Sequence, residues 1–215
     1  MIAVGRRFSR SFFGRSALAV APDLLGHDLV RVLPDGTQLR ARIVETEAYE
    51  QDDPASHAYR GRTRRNEVMF GPPGHLYVYL TYGMHHCMNV VTGEAGHACA
   101  VLLRAAEPLE GLDQMAARRG ADRDRDLCSG PARWAQAFEV DRGFDGDDVV
   151  SGTRIWLEWA DGIREDRIVA GPRIGVTRAA DRPWRFCVSG SPWLSRPAGS
   201  AISRSRSAAA SRSSP

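Results

Sequence analysis

The sequence predicts a single α+β domain: a curved, mainly antiparallel β-sheet surrounded by helices, with one β-hairpin protruding from it. Three observations point there. A chain of 215 residues is long enough for one substantial core and short for two. Strand-like runs follow one another across tight turn signals, the pattern of hairpins. Helical periodicity is confined to one stretch near the start and two in the middle of the chain.

In order, residues 1–10 read as a flexible basic N-terminus. The acid-free stretch 6–20 superficially fits an organelle presequence, but it runs straight into a helical segment over 16–25 that continues into the body. Strand-like runs at 29–33 and 38–49 flank Pro34-Asp35-Gly36, a strong turn signal, and so predict a hairpin. Residues 52–66 form a polar loop. Runs at 76–80 and 87–91 then flank a tip of Tyr82-Gly83-Met84, and 98–106 is a further apolar strand. After Pro108 the apolar residues Leu109, Leu112 and Met115 fall three apart, a helix that stops near Gly120. A second helix opens at Ser129-Gly130-Pro131, with Ser129 as the capping candidate and an early proline ahead of Trp134, Ala137 and Phe138. Runs at 154–159, 168–176 and 185–188 are β-like. The folded domain is thus expected over 11–195, and the Arg/Ser/Ala-rich 196–215, lacking any apolar period, as a disordered tail.

Composition narrows the function. The net charge of +3 comes from the ends, where arginines stand without acids, while the body between them holds more acids than bases. Binding to a polyanion therefore requires local clustering of arginine. No lysine occurs anywhere, so imine chemistry would fall to the N-terminal amine alone. No apolar run approaches the roughly 20 residues of a membrane-spanning helix, and no signal-peptide core is visible. Cys87, Cys99, Cys128 and Cys187 show no CxxC spacing, which fits reduced thiols better than a disulfide framework or zinc ribbon. The expectation is a soluble protein without a membrane partner, cytoplasmic and nucleoid-associated if bacterial, nuclear if eukaryotic.

The most informative stretch is residues 42–49, where strand alternation places Ile43, Glu45, Glu47 and Tyr49 on one face. Two carboxylates side by side would ordinarily mark a solvated edge. The loop that follows shifts the balance, because it supplies His57 and then Arg60, Arg62, Arg64 and Arg65, a patch suited to several phosphates. The hairpin tip presents Tyr82 and Met84 where a solvated turn would carry polar residues. Such groups suit a wedge that enters a duplex and fills the space left by a flipped nucleotide; burial beneath a loop is the structural alternative.

VETEAY at 44–49, His57, MFGPPGHLYVYLTYGMHHCMN at 69–89 and AVLLRAAEPLEG at 100–111 resemble the 3-methyladenine (alkyladenine) DNA glycosylase family of the mammalian type. The similarity runs over about 12–195 and includes DLLGHDLVR, LCSGPARWAQAF and the GSPW near the end. It implies a monofunctional glycosylase that acts as a monomer on double-stranded DNA containing damaged purines, with no cofactor and no metal. Glu47 would be the general base, oriented by Arg104 and helped by the Val188 carbonyl, holding the water that attacks C1′. Tyr49, His57 and Tyr79 would form the base pocket, and Asn89 would exclude the 2-amino group of normal guanine. Tyr82 would intercalate, with Met84 beside it, at the tip of a DNA-intercalating hairpin. Substrates implied are 3-methyladenine, 7-methylguanine, hypoxanthine and ethenoadenine.

Two other readings keep the aromatics and arginines: a damage-binding module that flips without cutting, and an RNA-binding domain. Neither needs Glu47 together with Arg104. A zinc site among His85, His86, Cys87, His97 and Cys99 is opposed by their spacing, since adjacent strand residues point to opposite faces.

Overall fold

The computed structural model describes residues 5–198. An eight-stranded sheet curls into an antiparallel half-barrel, built from β1 (Asp28–Val32), β2 (Gln38–Tyr49), β3 (Leu76–Thr81), β4 (His85–Thr92), β5 (Cys99–Glu110), β6 (Ile155–Glu158), β7 (Ile168–Gly171) and β8 (Arg185–Val188). Spatial order is β3-β4-β5-β2-β1-β6, and β8 pairs with both β2 and β7. The helices are short: α1 (Arg10–Phe13), α2 (Ala17–Asp23), α3 (Leu112–Arg119) and α4 (Pro131–Ala137).

Strand β2 organises the rest. It pairs with β5 along one edge, and with β1 and then β8 along the other. Its acids therefore lie in the middle of a sheet. The solvated edge that two neighbouring carboxylates would suggest does not exist here, and Glu45 and Glu47 are fully buried.

Two register shifts interrupt the β2–β5 ladder near the acids: Ile43 pairs Ala106 but Glu45 pairs Ala105, and Thr46 pairs Leu103. Val44 on β2 and Arg104 on β5 are the extra residues, and such bulges re-aim side chains. The expected face of Ile43, Glu45, Glu47 and Tyr49 is corrected accordingly. Ile43 joins the main core with Ala41 and Leu39, while the Glu47 carboxylate meets the Tyr49 hydroxyl and the Arg104 guanidinium.

The opposite face of β2 is closed by α2. Ser16 caps that helix by accepting the Ala19 N–H at 3.3 Å, the usual service of a serine N-cap. Val20 and Ala21 are buried, and Thr46 Oγ1 donates to the Ala21 carbonyl at 2.8 Å. Trp134 and Phe138 extend the same core; burying each such aromatic contributes about 1.5–3 kcal/mol.

Several boundaries differ from expectation. Residues 5–10 are packed, not loose: Phe8 is buried, the Arg7 backbone forms an isolated β-bridge with Glu158, and Arg10 Nη2 contacts Asp148 at 2.5 Å. An aromatic among the arginines is what anchors them, and residues 1–4 lie outside the described residues. Leu109 belongs to β5, and its helix begins only at Leu112. Gly111 (φ 78°) makes the turn, where a Cβ would lie 2.9 Å from the Gln38 carbonyl oxygen. Gly130, not Ser129, is the N-cap of α4, with Pro131 opening the helix; the Ser129 hydroxyl instead accepts from Arg133 at 3.0 Å. The β-like run 168–176 stops at Gly171, because Pro172 offers no N–H and Arg173 turns inward to a buried ion pair. Of the expected tail, 199–215 lies outside the described residues, and the Arg196 carbonyl accepts from Arg185 Nη2 at 2.6 Å.

Candidate active site

A cleft of about 770 Å³ opens on the Glu47 face of the sheet. Tyr49, His57, Tyr77, Tyr79 and Asn89 line it, together with Arg104 and the loop after β7. Glu47 lies directly behind this lining. Its Oε2 accepts from the Tyr49 hydroxyl at 2.8 Å, its Oε1 accepts from the Ile174 backbone N–H at 2.8 Å, and Arg104 Nε stands 3.4 Å from Oε1. Burial pushes the Glu47 pKa up, opposed by Arg104, the Ile174 N–H and the Tyr49 hydroxyl. Tyr49, whose ring lies 4.6 Å from the Arg173 guanidinium, is itself held neutral by burial and by the neighbouring carboxylate.

Arg104 is shared. Its Nε is 3.0 Å from Glu45 Oε1, nearer than to Glu47, and donates to Ser195 Oγ at 3.2 Å. Glu45 in turn accepts from Arg185 Nε at 2.6 Å, from the Ser195 N–H at 2.7 Å and from the Ser195 hydroxyl at 2.8 Å. Two buried carboxylates are thus balanced by two guanidiniums, the condition under which charges are tolerated in an interior.

The aromatic wall comes from β3, where period-two spacing turns Tyr77 and Tyr79 to one side. The His57 ring packs edge-on against Tyr79 at 4.5 Å, and its Nδ1 is 3.0 Å from the Tyr77 hydroxyl. Tyr77 thereby fixes the ring and leaves Nε2 for a ligand. Burial, with Arg65 nearby, lowers the His57 pKa, favouring neutral imidazole. Asn89 is buried, its Nδ2 donating to the Tyr77 carbonyl at 3.0 Å.

The tip between β3 and β4 is unfavourable in two ways at once. Tyr82 is 86% exposed and Met84 72% exposed, and Tyr82 sits at φ 50°, a left-handed conformation costing a non-glycine residue about 1–2 kcal/mol. The alternative of a tip buried beneath a loop is excluded. Of the four loop arginines only Arg65 lines the cleft, its Nη2 donating to the Leu80 carbonyl at 3.2 Å. Arg60 and Arg64 are exposed, and Arg62 packs 4.8 Å from the Phe70 ring.

Ile174, Tyr77 and the Arg173–Asp53 pair join the site without having been expected from the sequence. Tyr77 carried a signal, the alternation with Tyr79. Ile174 carried none, because it contributes a backbone N–H. Val188 is not among the residues lining the cleft, and its carbonyl accepts the Ser191 N–H at 3.2 Å; Ile174, across the chain reversal after β7, is the backbone partner of Glu47. Of the five residues weighed for zinc, His97 and Cys99 come together, joined by Glu50.

A family model described as methylpurine-DNA glycosylase matches residues 11–192. Three proteins named "Putative 3-methyladenine DNA glycosylase" are similar over nearly their whole lengths. That of Carboxydothermus hydrogenoformans is 49% identical over 187 residues, covering 87% of this chain and 97% of the relative. That of Streptomyces avermitilis is 51% identical over 202 residues, 91% and 94% of the two chains. That of Chlorobaculum parvum is 48% identical over 191 residues, 88% and 91%. These relatives are bacterial, so they carry the family and not a mammalian subdivision of it.

Proposed function

Because the chain belongs to the methylpurine-DNA glycosylase family, we propose that it is a DNA repair glycosylase that flips alkylated or deaminated purines out of a duplex and hydrolyses their bond to deoxyribose. The observation that carries this reading is the buried Glu47, held by Arg104, Tyr49 and Ile174 at the back of an aromatic cleft. The substrates proposed are 3-methyladenine, 7-methylguanine, hypoxanthine and ethenoadenine.

In this mechanism the ionised Glu47 takes a proton from a water molecule, whose oxygen attacks C1′ as the N-glycosidic bond breaks and its electron pair leaves with the purine. The sugar passes through an oxocarbenium-like state, and a nearby carboxylate stabilises that positive charge as well as activating water. Arg104 opposes the desolvation that would otherwise protonate Glu47. A cationic 3-methyladenine or 7-methylguanine departs as a neutral base, so the site needs no acid for them; hypoxanthine and ethenoadenine depart with the bond's electron pair as anions and take their proton from solvent.

Tyr49, His57 and Tyr79 bind the flipped base. Their π faces attract a cationic ring, which prefers damage electrostatically. Asn89 closes the cleft to a 2-amino group. Tyr82, with Met84 beside it, fills the gap in the duplex, and the costs of its exposure and backbone conformation are recovered by stacking when DNA is bound. Arg65 at the cleft and the exposed Arg60, Arg62 and Arg64 hold phosphates. A chain without lysine hydrolyses the bond with water and leaves an intact abasic site, acting as a monomer. The test is release of free base from damaged duplexes, read as alkali-labile abasic sites; tight damage binding without release would mark a recognition module instead.

A further inference from the structure

Just beyond the cleft, β2 and β5 end side by side, with Tyr49 opposite Ala100. Glu50, just past the end of β2, meets Cys99, the first residue of β5, and the turn before β5 adds His97. Donor atoms of Glu50, His97 and Cys99 all lie within 4.8 Å of one another, and Cys99 Sγ is 2.7 Å from Glu50 Oε2. Two acidic groups in such contact need a positive charge between them. The thiol proton serves when no metal is bound, and a divalent cation that displaces it would take its place between the two groups.

The surroundings hold these groups in place. Glu50 Oε1 accepts the Leu18 N–H at 3.2 Å, and the Ala98 N–H donates to Gln51 Oε1 at 2.8 Å. The turn is fastened by the Gly96 N–H to the Phe70 carbonyl at 2.9 Å and the His97 N–H to the Glu94 carbonyl at 3.0 Å. Cys99 is buried while His97 is exposed, which leaves an entry path and a position for water.

We propose that Glu50, His97 and Cys99 form a zinc site, with water as fourth ligand. One thiolate, one imidazole and one carboxylate are all ligands that zinc takes tetrahedrally, and the soft thiolate selects against magnesium and calcium. Binding forms the Zn–S bond and releases the Cys99 proton to solvent. None of the three residues lines the Glu47 cleft, so the metal acts as a clip between the ends of β2 and β5 and takes no part in base release.

The test is titration of the reduced full-length chain with Co²⁺ and then Zn²⁺, wild type beside Cys99→Ser and His97→Ala. The wild type should take up a single Co²⁺ with a thiolate-to-cobalt absorption band in the near ultraviolet, which Zn²⁺ abolishes. Cys99→Ser should lose the band. His97→Ala, at an exposed position that leaves the fold intact, should weaken binding by more than the roughly 10–100-fold cost of losing a mere outer-shell partner. Zinc should raise the Tm of the wild type and not of His97→Ala. Absence of the band in the wild type, or equal affinity in wild type and His97→Ala, would overturn the site, and the second comparison decides even if Cys99→Ser does not fold.

Discussion

The Ile174 backbone N–H donates to Glu47 Oε1 at 2.8 Å, so a loop that follows β7 holds a carboxylate carried by β2. With Arg104 and Tyr49 it favours the ionised acid, against a burial that pushes the pKa up overall. Ionisation is what the proposed chemistry requires. Base release should therefore fall as pH drops through the raised Glu47 pKa, with an acid limb above the value of about 4.3 of a free glutamate. Single-turnover release across pH measures this; a limb at or below that value would contradict it.

The same shift has a consequence for stability. A carboxyl whose pKa is higher folded than unfolded contributes stability that is present below the unfolded value and lost as pH rises through the folded one. At neutral pH the ionised Glu47 is thus a net cost, and Glu47→Gln should stabilise the fold, the direction expected where function holds a site in a destabilised state. Calorimetry at neutral pH reads this as a raised Tm; a lowered Tm counts against it.

Asp53 and Arg173 have fully buried side chains, with Arg173 Nη2 donating to Asp53 Oδ1 at 3.0 Å. Asp53→Ala leaves a buried guanidinium without its partner, which costs about 3–5 kcal/mol. Because Arg173 also lies against the Tyr49 ring, the variant should weaken damaged-DNA binding as well. Urea unfolding and a binding isotherm check the two effects; unchanged stability would contradict a structural role for the pair, because Arg182, 3.6 Å from the same carboxylate, is itself a cation and cannot replace Asp53 as the partner of Arg173.

Tyr82→Ala should leave Tm unchanged, since the side chain touches solvent, yet weaken binding to a damaged duplex by the about 1–3 kcal/mol that one stacked aromatic contributes. Fluorescence anisotropy with matched and damaged duplexes measures it. Full-strength binding would remove the wedge role.

Asn89→Ser should admit more normal guanine to the cleft, seen as increased release of guanine from undamaged DNA. An unchanged preference would take Asn89 out of the discrimination against the 2-amino group.

The β-hairpins were legible because turn chemistry and period-two alternation act locally: Pro34-Asp35-Gly36 and the Tyr82-Gly83-Met84 tip sit where their residues demand. What alternation could not show was the pair of bulges that turns Arg104 toward the acids and sends Ile43 into the core, since a bulge depends on the partner strand. The candidate site was legible where a side chain lines the cleft, as for Tyr49, His57 and Asn89. It was illegible where the contact is made by main chain, as for Ile174, or by a partner distant in sequence, as for Glu45 with Ser195 and Arg185. The Leu109 helix failed because a left-handed glycine, not the apolar spacing around it, sets where β5 ends.

Base release from methylated and hypoxanthine-containing duplexes, wild type beside Glu47→Gln, with EDTA present and alkali added afterwards to reveal abasic sites, decides whether Glu47 is the general base. The wild type should release base, while Glu47→Gln should bind the damaged duplex yet lose about 10²–10⁴-fold in rate, the usual contribution of a general base. Undiminished release by Glu47→Gln would contradict that role.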